Sequence, residues 1–542
     1  MQANSLQLQS KLVGALPIID HFMRIIELRR LLLEALKHPP YVDAVLLLIK
    51  SILVQPNPLY RIHDWSLNFD PALVYGATIS DDTLARALDR LFLLDRASLM
   101  TRVTLQAIKK FELSTNQIHN DTTSIKFFGH YRNQNPKAVT LKRGHSKDHR
   151  GDLLQIVYGL CVTADGAIPI HFKAYDGNQT DDTTHWETWL TLRGMLRRSD
   201  FIYVADSKLC VTKTLMDMDH AQGRFVTIVP RTRMEHSEFA EKSYQSTIRW
   251  QYIFAKRSTR KHHRRDVVES ACEFYQMREG FRLYWFRSSE KLLRDKQDRE
   301  DRLQAAMDKL TLLNSNNKRG PKTEAAMSKA AQRILTHYNV TPWVNLLVKT
   351  DILENYKQVH PGKPTTNTVY QKTSKKRARL LWSLNQEEIA RAQAMDGIFP
   401  LTTNTNLSAL EVYKVYKYQP TIEKRHSLLK SVCEISPVFL KKNDRIDALV
   451  FVYFMAQCIA SLIERCLRKN MLDNGIKSIP VLPENRQSKT PSVRQILQAF
   501  EHHKKHELYN GKTLLKTFTE PLNALQKQLL NLLGIPENSA YL

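Results

Sequence analysis

Three carboxylates on well-separated segments carry the chemistry this sequence is equipped for: Asp121 in QIHNDTTS, Asp206 in FIYVADSK and Glu423 in YKYQPTIEKRHSLLK. Asp121 closes the stretch Gln117-Ile118-His119-Asn120. Asp206 closes the apolar run 201–205, which has the length and the β-branched and aromatic content of a buried strand. An ionised Asp at such a strand end costs desolvation energy unless a cation or a hydrogen-bond network compensates, and converging carboxylates repel unless divalent metal sits between them. Two Mg²⁺ (or Mn²⁺) ions about 3.5–4 Å apart suit phosphodiester chemistry, activating a water or a 3′-hydroxyl and stabilising the leaving oxygen of an in-line displacement. Glu423 follows Pro420, a residue tolerated at a first helical position, so it falls in the first turn of a helix. Lys430 then lies nearly two turns further on the same face, where Glu423 completes the metal cage and Lys430 reaches an adjacent phosphate as a point charge. Asp396, Glu411, Glu434 and Asp447 compete for the third acidic role.

Tyr416, Gln419, Glu423 and Lys430 also stand at the spacing Tyr-x2-Arg-x3-Glu-x6-Lys, with Gln in the Arg position. Around them run HNDTTS at 119–124, GHSKDHRGDL at 144–153, DGNQTDDTT at 176–184, VADSKL at 204–209, DGIFPLTTN at 396–404 and PVFLKKNDRIDAL at 437–449. On these strings, in this order over most of residues 115–470, the chain resembles the DDE transposases of bacterial insertion sequences, specifically the insertion-sequence-four superfamily and its 1634 branch. The resemblance implies a ribonuclease-H-like catalytic core and a cut-and-paste transposase that binds terminal inverted repeats and performs Mg-dependent strand cleavage and strand transfer. It implies Asp121, Asp206 and Glu423 as the catalytic, metal-holding acids, since no competing carboxylate has Tyr and Lys at the family's offsets. It implies that Tyr416 contacts phosphate near the cut; ordinary packing against Tyr413 or Tyr418 is the competing reading. At Gln419 a neutral amide replaces a bidentate guanidinium fork, which weakens the expected grip on the DNA end. Lys147 and Arg150, in the basic segment 142–150, complete the expected DNA contacts. The partners implied are double-stranded DNA, both element ends and target, and a second copy of the chain in a homodimeric synaptic complex. Two other functions remain open: a decayed or repurposed transposase that binds DNA without cutting it, and a ribonuclease-H-like nuclease without strand transfer.

Elements must bring these residues together. A strand at 116–121, a second at 153–162, an Asp165-Gly166 turn and a third strand at 168–175 read as a meander. A helix over 183–197, a strand at 201–206, another helix and a strand at 225–229 follow, giving the order βββ-α-β-α-β; in the ribonuclease-H-like fold that the resemblance implies, the first and fourth strands of this order are neighbours. The 217 residues between Asp206 and Glu423 (423 − 206) exceed what a helix and a strand need, so a segment is inserted. The expected organisation is a helical N-terminal domain at 1–114, to which the resemblance gives DNA-end recognition and which plain helical packing would equally explain, and a first core part at 115–230. A β-rich insertion at 231–395 with a long charged helix over 288–313 and an exposed loop at 314–326 comes next. A second core part at 396–472 contains one long helix over 437–470, and a helical C-terminal region at 473–542 either dimerises or caps the core. The basic string 256–265 suits a DNA groove, and a solvated charged hairpin would read the same.

Composition agrees with a polyanionic partner: 80 Lys and Arg against 54 Asp and Glu leave +26, and such charge favours counterion release and steered encounter. A cationic but inert surface has the same composition. The six cysteines show neither paired spacing nor CxxC, which argues for a reducing compartment and against zinc. The N-terminus lacks a signal-peptide pattern, and apolar stretches are interrupted by charge before they would span a bilayer. No membrane partner is expected, and the location implied is the bacterial cytoplasm, at the nucleoid.

Overall fold

The computed structural model describes residues 6–76, 79–129, 131, 135–144, 151–179, 184–257, 265–315, 321–432, 435, 440–536 and 541. The chain forms two compact units, one made of residues 1–227 with 413–542 and the other of residues 228–412.

The first unit opens on strand β1 (Leu6–Leu12) and a run of helices ending at Phe111. Their starts follow capping chemistry: Ser80 Oγ accepts the Thr83 N–H at 3.2 Å, with Asp81 and Asp82 in the first turn of the helix Asp81–Leu93. Leu84, Leu88 and Leu91 of that helix are buried, as their spacing predicts. Five strands of a ten-stranded sheet then carry the acids: β2 (Gln117–Phe127), β3 (Leu154–Thr163), β4 (Pro169–Tyr175), β5 (Ile202–Ala205) and β6 (Arg224–Ile228). β2 pairs antiparallel with β3, and β3 antiparallel with β4, while β2 pairs parallel with β5 and β5 parallel with β6. The first and fourth strands are therefore neighbours, as expected. β2 itself runs past Asp121 to Phe127, so this acid lies within a strand and not at its end. Thr122, Thr123, Ser124 and Ile125 continue the ladder against β3, and β-branched residues favour that pleated surface.

The second unit contains the helix Met234–Gln245 and strands β7 (Trp250–Arg257), β8 (Arg265–Ala271), β9 (Tyr275–Gln276) and β10 (Arg282–Ser288). A 27-residue helix, Ser289–Ser315, follows, then the helix Glu324–His337, whose Thr323 N-cap places its start inside the expected loop. β11 (Val344–Gln358) and β12 (Tyr370–Leu384) form a separate two-stranded ribbon, and β13 (Ile398–Thr403) pairs antiparallel with β10. Ala306, Leu310, Ala331, Leu335 and Leu380 bury the base of the ribbon against the two helices. The expected β-rich insertion is thus a mixed unit, because its charged stretches wind into long helices whose apolar stripes need a sheet to cover.

The remainder of the first unit begins with the helix Pro420–Ser427, starting at the expected proline, and continues in a π-turn, Leu428–Val432. The 31-residue helix Asn443–Asp473 runs through the core. An 18-residue window of this helix has the hydropathy of a membrane span, so its apolar stretch is less interrupted by charge than expected, but 94% of that window is buried inside the protein. Residues of the N-terminal helices, β2–β4 and this helix share one continuous apolar core, including Phe22, Leu46, Leu88, Tyr158 and Phe454. The C-terminal region is not all helix. After Val493–Gln498 come β14 (Lys504–Asn510) and β15 (Thr513–Thr519), joined across Gly511-Lys512, and β14 pairs antiparallel with β1. Asn510-Gly511 is the hairpin signal, with Gly511 at φ +58° where a side chain is disfavoured.

Candidate active site

Parallel pairing sets two of the acids level. His119 of β2 pairs with Val204 of β5, and Asp121 and Asp206 each lie two residues further on (119 + 2 and 204 + 2) on strands about 4.8 Å apart. β5 ends at Ala205, so Asp206 leaves the sheet and its Oδ1 accepts the Lys208 N–H at 3.0 Å, capping the short turn Ser207–Leu209. Asp121 Oδ1 accepts the Thr122 N–H at 2.8 Å. One oxygen of each carboxylate is thereby oriented by backbone.

Glu423 is exposed on a short helix that is seated by its neighbours. Ile422 is fully buried, and Arg425 is 4% exposed. Each nitrogen of the Arg425 guanidinium is engaged: Nε donates to Ala167 O at 2.9 Å, Nη2 to Gly166 O at 2.7 Å and Nη1 to Glu464 Oε2 at 2.7 Å. Gln457 Nε2 donates to the Arg425 carbonyl at 2.8 Å and Gln457 Oε1 accepts from Tyr158 at 3.0 Å. A helix of eight residues is too short to hold its own shape in water, and these bonds to the β3–β4 turn and the core helix fix it.

Tyr416 stands in the electrostatic field of all three acids. Burial first, and then the charges of Asp206, Asp121 and Glu423, hold its phenol above the usual tyrosine range. All three carboxylates therefore act on one hydroxyl, which stays protonated at neutral pH and is a donor. Tyr416 lies in the helix Ala409–Lys417.

Gln419 has another task. Its Nε2 donates to Asn120 O at 2.8 Å, and its Oε1 lies 2.7 Å from His119 Nδ1. Gln117 Nε2 donates to Val415 O at 3.0 Å and lies 2.6 Å from His119 Nε2. The two backbone carbonyls fix both amide orientations, and this fixes the tautomer: Nε2 of His119 accepts from Gln117 and Nδ1–H donates to Gln419. Burial pushes the His119 imidazole down to about 4, against a smaller opposing effect of the Gln419 bond, so it is neutral as this network requires. Gln419 thus ties the third-acid segment to the strand of the first, with oxygen and nitrogen both engaged.

Lys430 is half-buried on the π-turn, whose wider winding turns it out of the strict two-turn alignment with Glu423 expected for an α-helix. Lys147 and Arg150 lie outside the described residues, as do Glu434 and residues 258–264 of the basic string. The remaining competing acids are engaged elsewhere. Asp396 forms a bidentate pair with Arg299 at 2.6 and 2.7 Å, Asp447 accepts from Arg96 and from Val139 N–H, and Glu411 caps Ser408. His426, which the sequence analysis did not single out, is buried with Nε2 3.5 Å from Asp121 Oδ2. Its place three residues after Glu423 on one helix was the available signal.

The donor set is chemically suited to a hard divalent cation, being carboxylate oxygens with backbone-held partners. Among the described residues, no three His, Cys, Asp or Glu side chains stand close enough together to enclose one ion.

No family model matches the chain, and no curated protein matches it. Among solved structures it is similar to a cryo-EM structure of a piggyBac transposase synaptic complex with hairpin DNA, at 11% identity and a TM-score of 0.39, over 86% of this chain and 70% of that one.

Proposed function

We propose that the chain is an insertion-sequence DNA transposase of the DDE type, in the 1634 branch of the insertion-sequence-four superfamily, built on a ribonuclease-H-like core. The observation that carries this reading is the parallel pairing of β2 with β5, which sets Asp121, within β2, level with Asp206, just past the end of β5. The sheet order β4-β3-β2-β5-β6, with only β3 antiparallel to its neighbours, supports the fold assignment. Asp121, Asp206 and Glu423 would hold two Mg²⁺ or Mn²⁺ ions, which supply Lewis-acid activation of the attacking oxygen and stabilise the leaving one when bound. Tyr416 donates its hydroxyl to a phosphate oxygen, and Lys430 adds a positive charge beside it. Arg425 holds Glu423 in place from behind, and the Gln117-His119-Gln419 chain keeps Tyr416 and Glu423 in register with Asp121. Substrates are double-stranded element ends and target DNA, gripped by a homodimer in the bacterial cytoplasm.

Incubation with linear DNA carrying the element's terminal repeats, Mg²⁺ and a target plasmid tests the reading. Nicked ends joined to the plasmid are expected. Cleavage without joining would identify a nuclease, and repeat-specific binding without cleavage would identify a DNA-binding derivative.

A further inference from the structure

The β11–β12 ribbon has no role in the site described above. Its strands of 15 residues each are paired along their whole length, from Val344 opposite Leu384 to Gln358 opposite Tyr370. At about 3.3 Å per residue the ribbon is about 50 Å long, about one and a half turns of B-form DNA. Alternation divides its faces. Val344, Val348, Ala378 and Leu380 face the helical core at the base, so Lys349, Lys357, Lys375 and Arg379 share the opposite face with a single acid, Asp351. Lys349 stands directly across from Arg379. Like charges directly opposite each other are destabilising in a sheet, and nothing in the packing requires them, because both side chains are exposed. Residues 344–384 hold eight Lys or Arg and two acids. Those acids, Glu354 and Asp351, pair with Lys372 and Arg379 at 2.5 and 3.9 Å, and Lys349, Lys357 and Lys375 have no acidic partner among the described residues.

We propose that this face of the ribbon docks on duplex DNA, with Lys349, Lys357 and Lys375 against phosphates flanking the major groove. The proposal rests on the DNA-processing reading above and extends it to a surface that the acids do not touch. A two-stranded ribbon fits a groove about 12 Å wide, and a polyanion supplies Lys349 with the counter-charge that Asp351 gives Arg379. A second copy docked through the same face would set cation against cation, which disfavours self-association there.

The test uses the full chain with a fluorescently labelled duplex of arbitrary sequence in chelator, where no cleavage occurs, and follows affinity against salt. Changing Lys349, Lys357 and Lys375 together to Gln should lower the slope of log affinity on log salt by about 2.7, at about 0.9 per phosphate contact. The corresponding triple Arg variant should keep the slope. Hydrogen exchange in β11 and β12 should slow on adding the wild-type protein to DNA. A Gln variant that melts like the wild type and binds with an unchanged slope overturns the proposal. So does a drop in its mass from dimer to monomer with DNA affinity unchanged, which would assign the face to a second copy. Failure of the catalytic reading would show separately, as absence of cleavage of terminal-repeat DNA in Mg²⁺.

Discussion

The segment carrying Glu423 and the β11–β12 ribbon are opposite solutions to placing charge. Behind Glu423, the buried polar groups that seat its helix are matched: Arg425 has three partners, one of them Glu464 at 2.7 Å, and His119 is kept neutral between two amides. On the ribbon, cations are exposed, and Lys349 faces Arg379 across the strands. The first arrangement gives position at the cost of tolerating no missing partner. The second gives up a little stability and gains a surface that is completed only by an anion. On the proposed function a single molecule needs both, because holding a catalytic carboxylate needs rigidity, whereas gripping a polyanion needs unneutralised charge.

Removing a partner from the matched region should have the largest effect. Arg425→Ala leaves Glu464 buried at 5% exposure without its closest cation. Loss of one partner of such a pair costs about 3–5 kcal/mol. The urea midpoint should fall accordingly, and cleavage should be lost with it, while an Arg425→Ala protein as stable as the wild type would show that the helix Pro420–Ser427 is held by other means.

Acid should attack the same region. His119 and His171 are both pushed down to about 4 by burial, below the ordinary 6.5. Each is neutral in the fold, whereas the unfolded chain takes up protons below about 6.5. Their contribution is therefore intact above about pH 6.5 and is lost as pH falls toward 4, by about 3 kcal/mol per histidine at the bottom of that window. Stability measured by urea unfolding between pH 7 and 4 should decline by up to two protons' worth of slope. In a His119→Gln background one of these protons should be missing from the slope.

A smaller loss is expected from Gln419→Arg. A guanidinium has no acceptor for His119 Nδ1–H, so the substitution breaks the tie to β2 and should cost about 1–3 kcal/mol, with no gain in cleavage. Faster cleavage by this variant would mean that the Arg swings to phosphate and that the His119 network is dispensable. On the ribbon, Lys349→Gln should change stability by less than about 0.5 kcal/mol, or raise it slightly, because it removes a repulsive cross-strand pair. A clear loss on thermal melting would show that Lys349 is matched after all.

Much of the scaffold was legible in the sequence. Apolar runs marked β3, β5 and β6, Pro420 marked the helix of the third acid, and the pattern of strands and helices implied that β2 and β5 are neighbours. What escaped was either overruled by pairing or non-local. Asp121 was read as a strand end because QIHND is followed by hydroxyl residues, but the β3 ladder carries β2 six residues further, to Phe127. The Asn510-Gly511 turn was hidden in a stretch read as helical. The Gln419–His119 contact joins residues 300 positions apart, and Arg425 meets Gly166 across 259. No spacing rule connects positions so distant, and the polar side chains in these contacts are indistinguishable from surface ones until the fold buries them.

The central claim, that Asp121, Asp206 and Glu423 act together, is tested most directly by the rate of DNA end cleavage in Mg²⁺ by Asp121→Asn, Asp206→Asn and Glu423→Gln proteins. These near-isosteric changes keep the shape of each side chain, so folding and DNA affinity in chelator should stay near the wild type. Each rate should fall by about a thousandfold or more, as expected when a group acting on the transition state is removed, and combining any two should add little, since residues acting as one unit are not additive. Near-normal cleavage by Glu423→Gln would contradict the account by removing the third acid from the site.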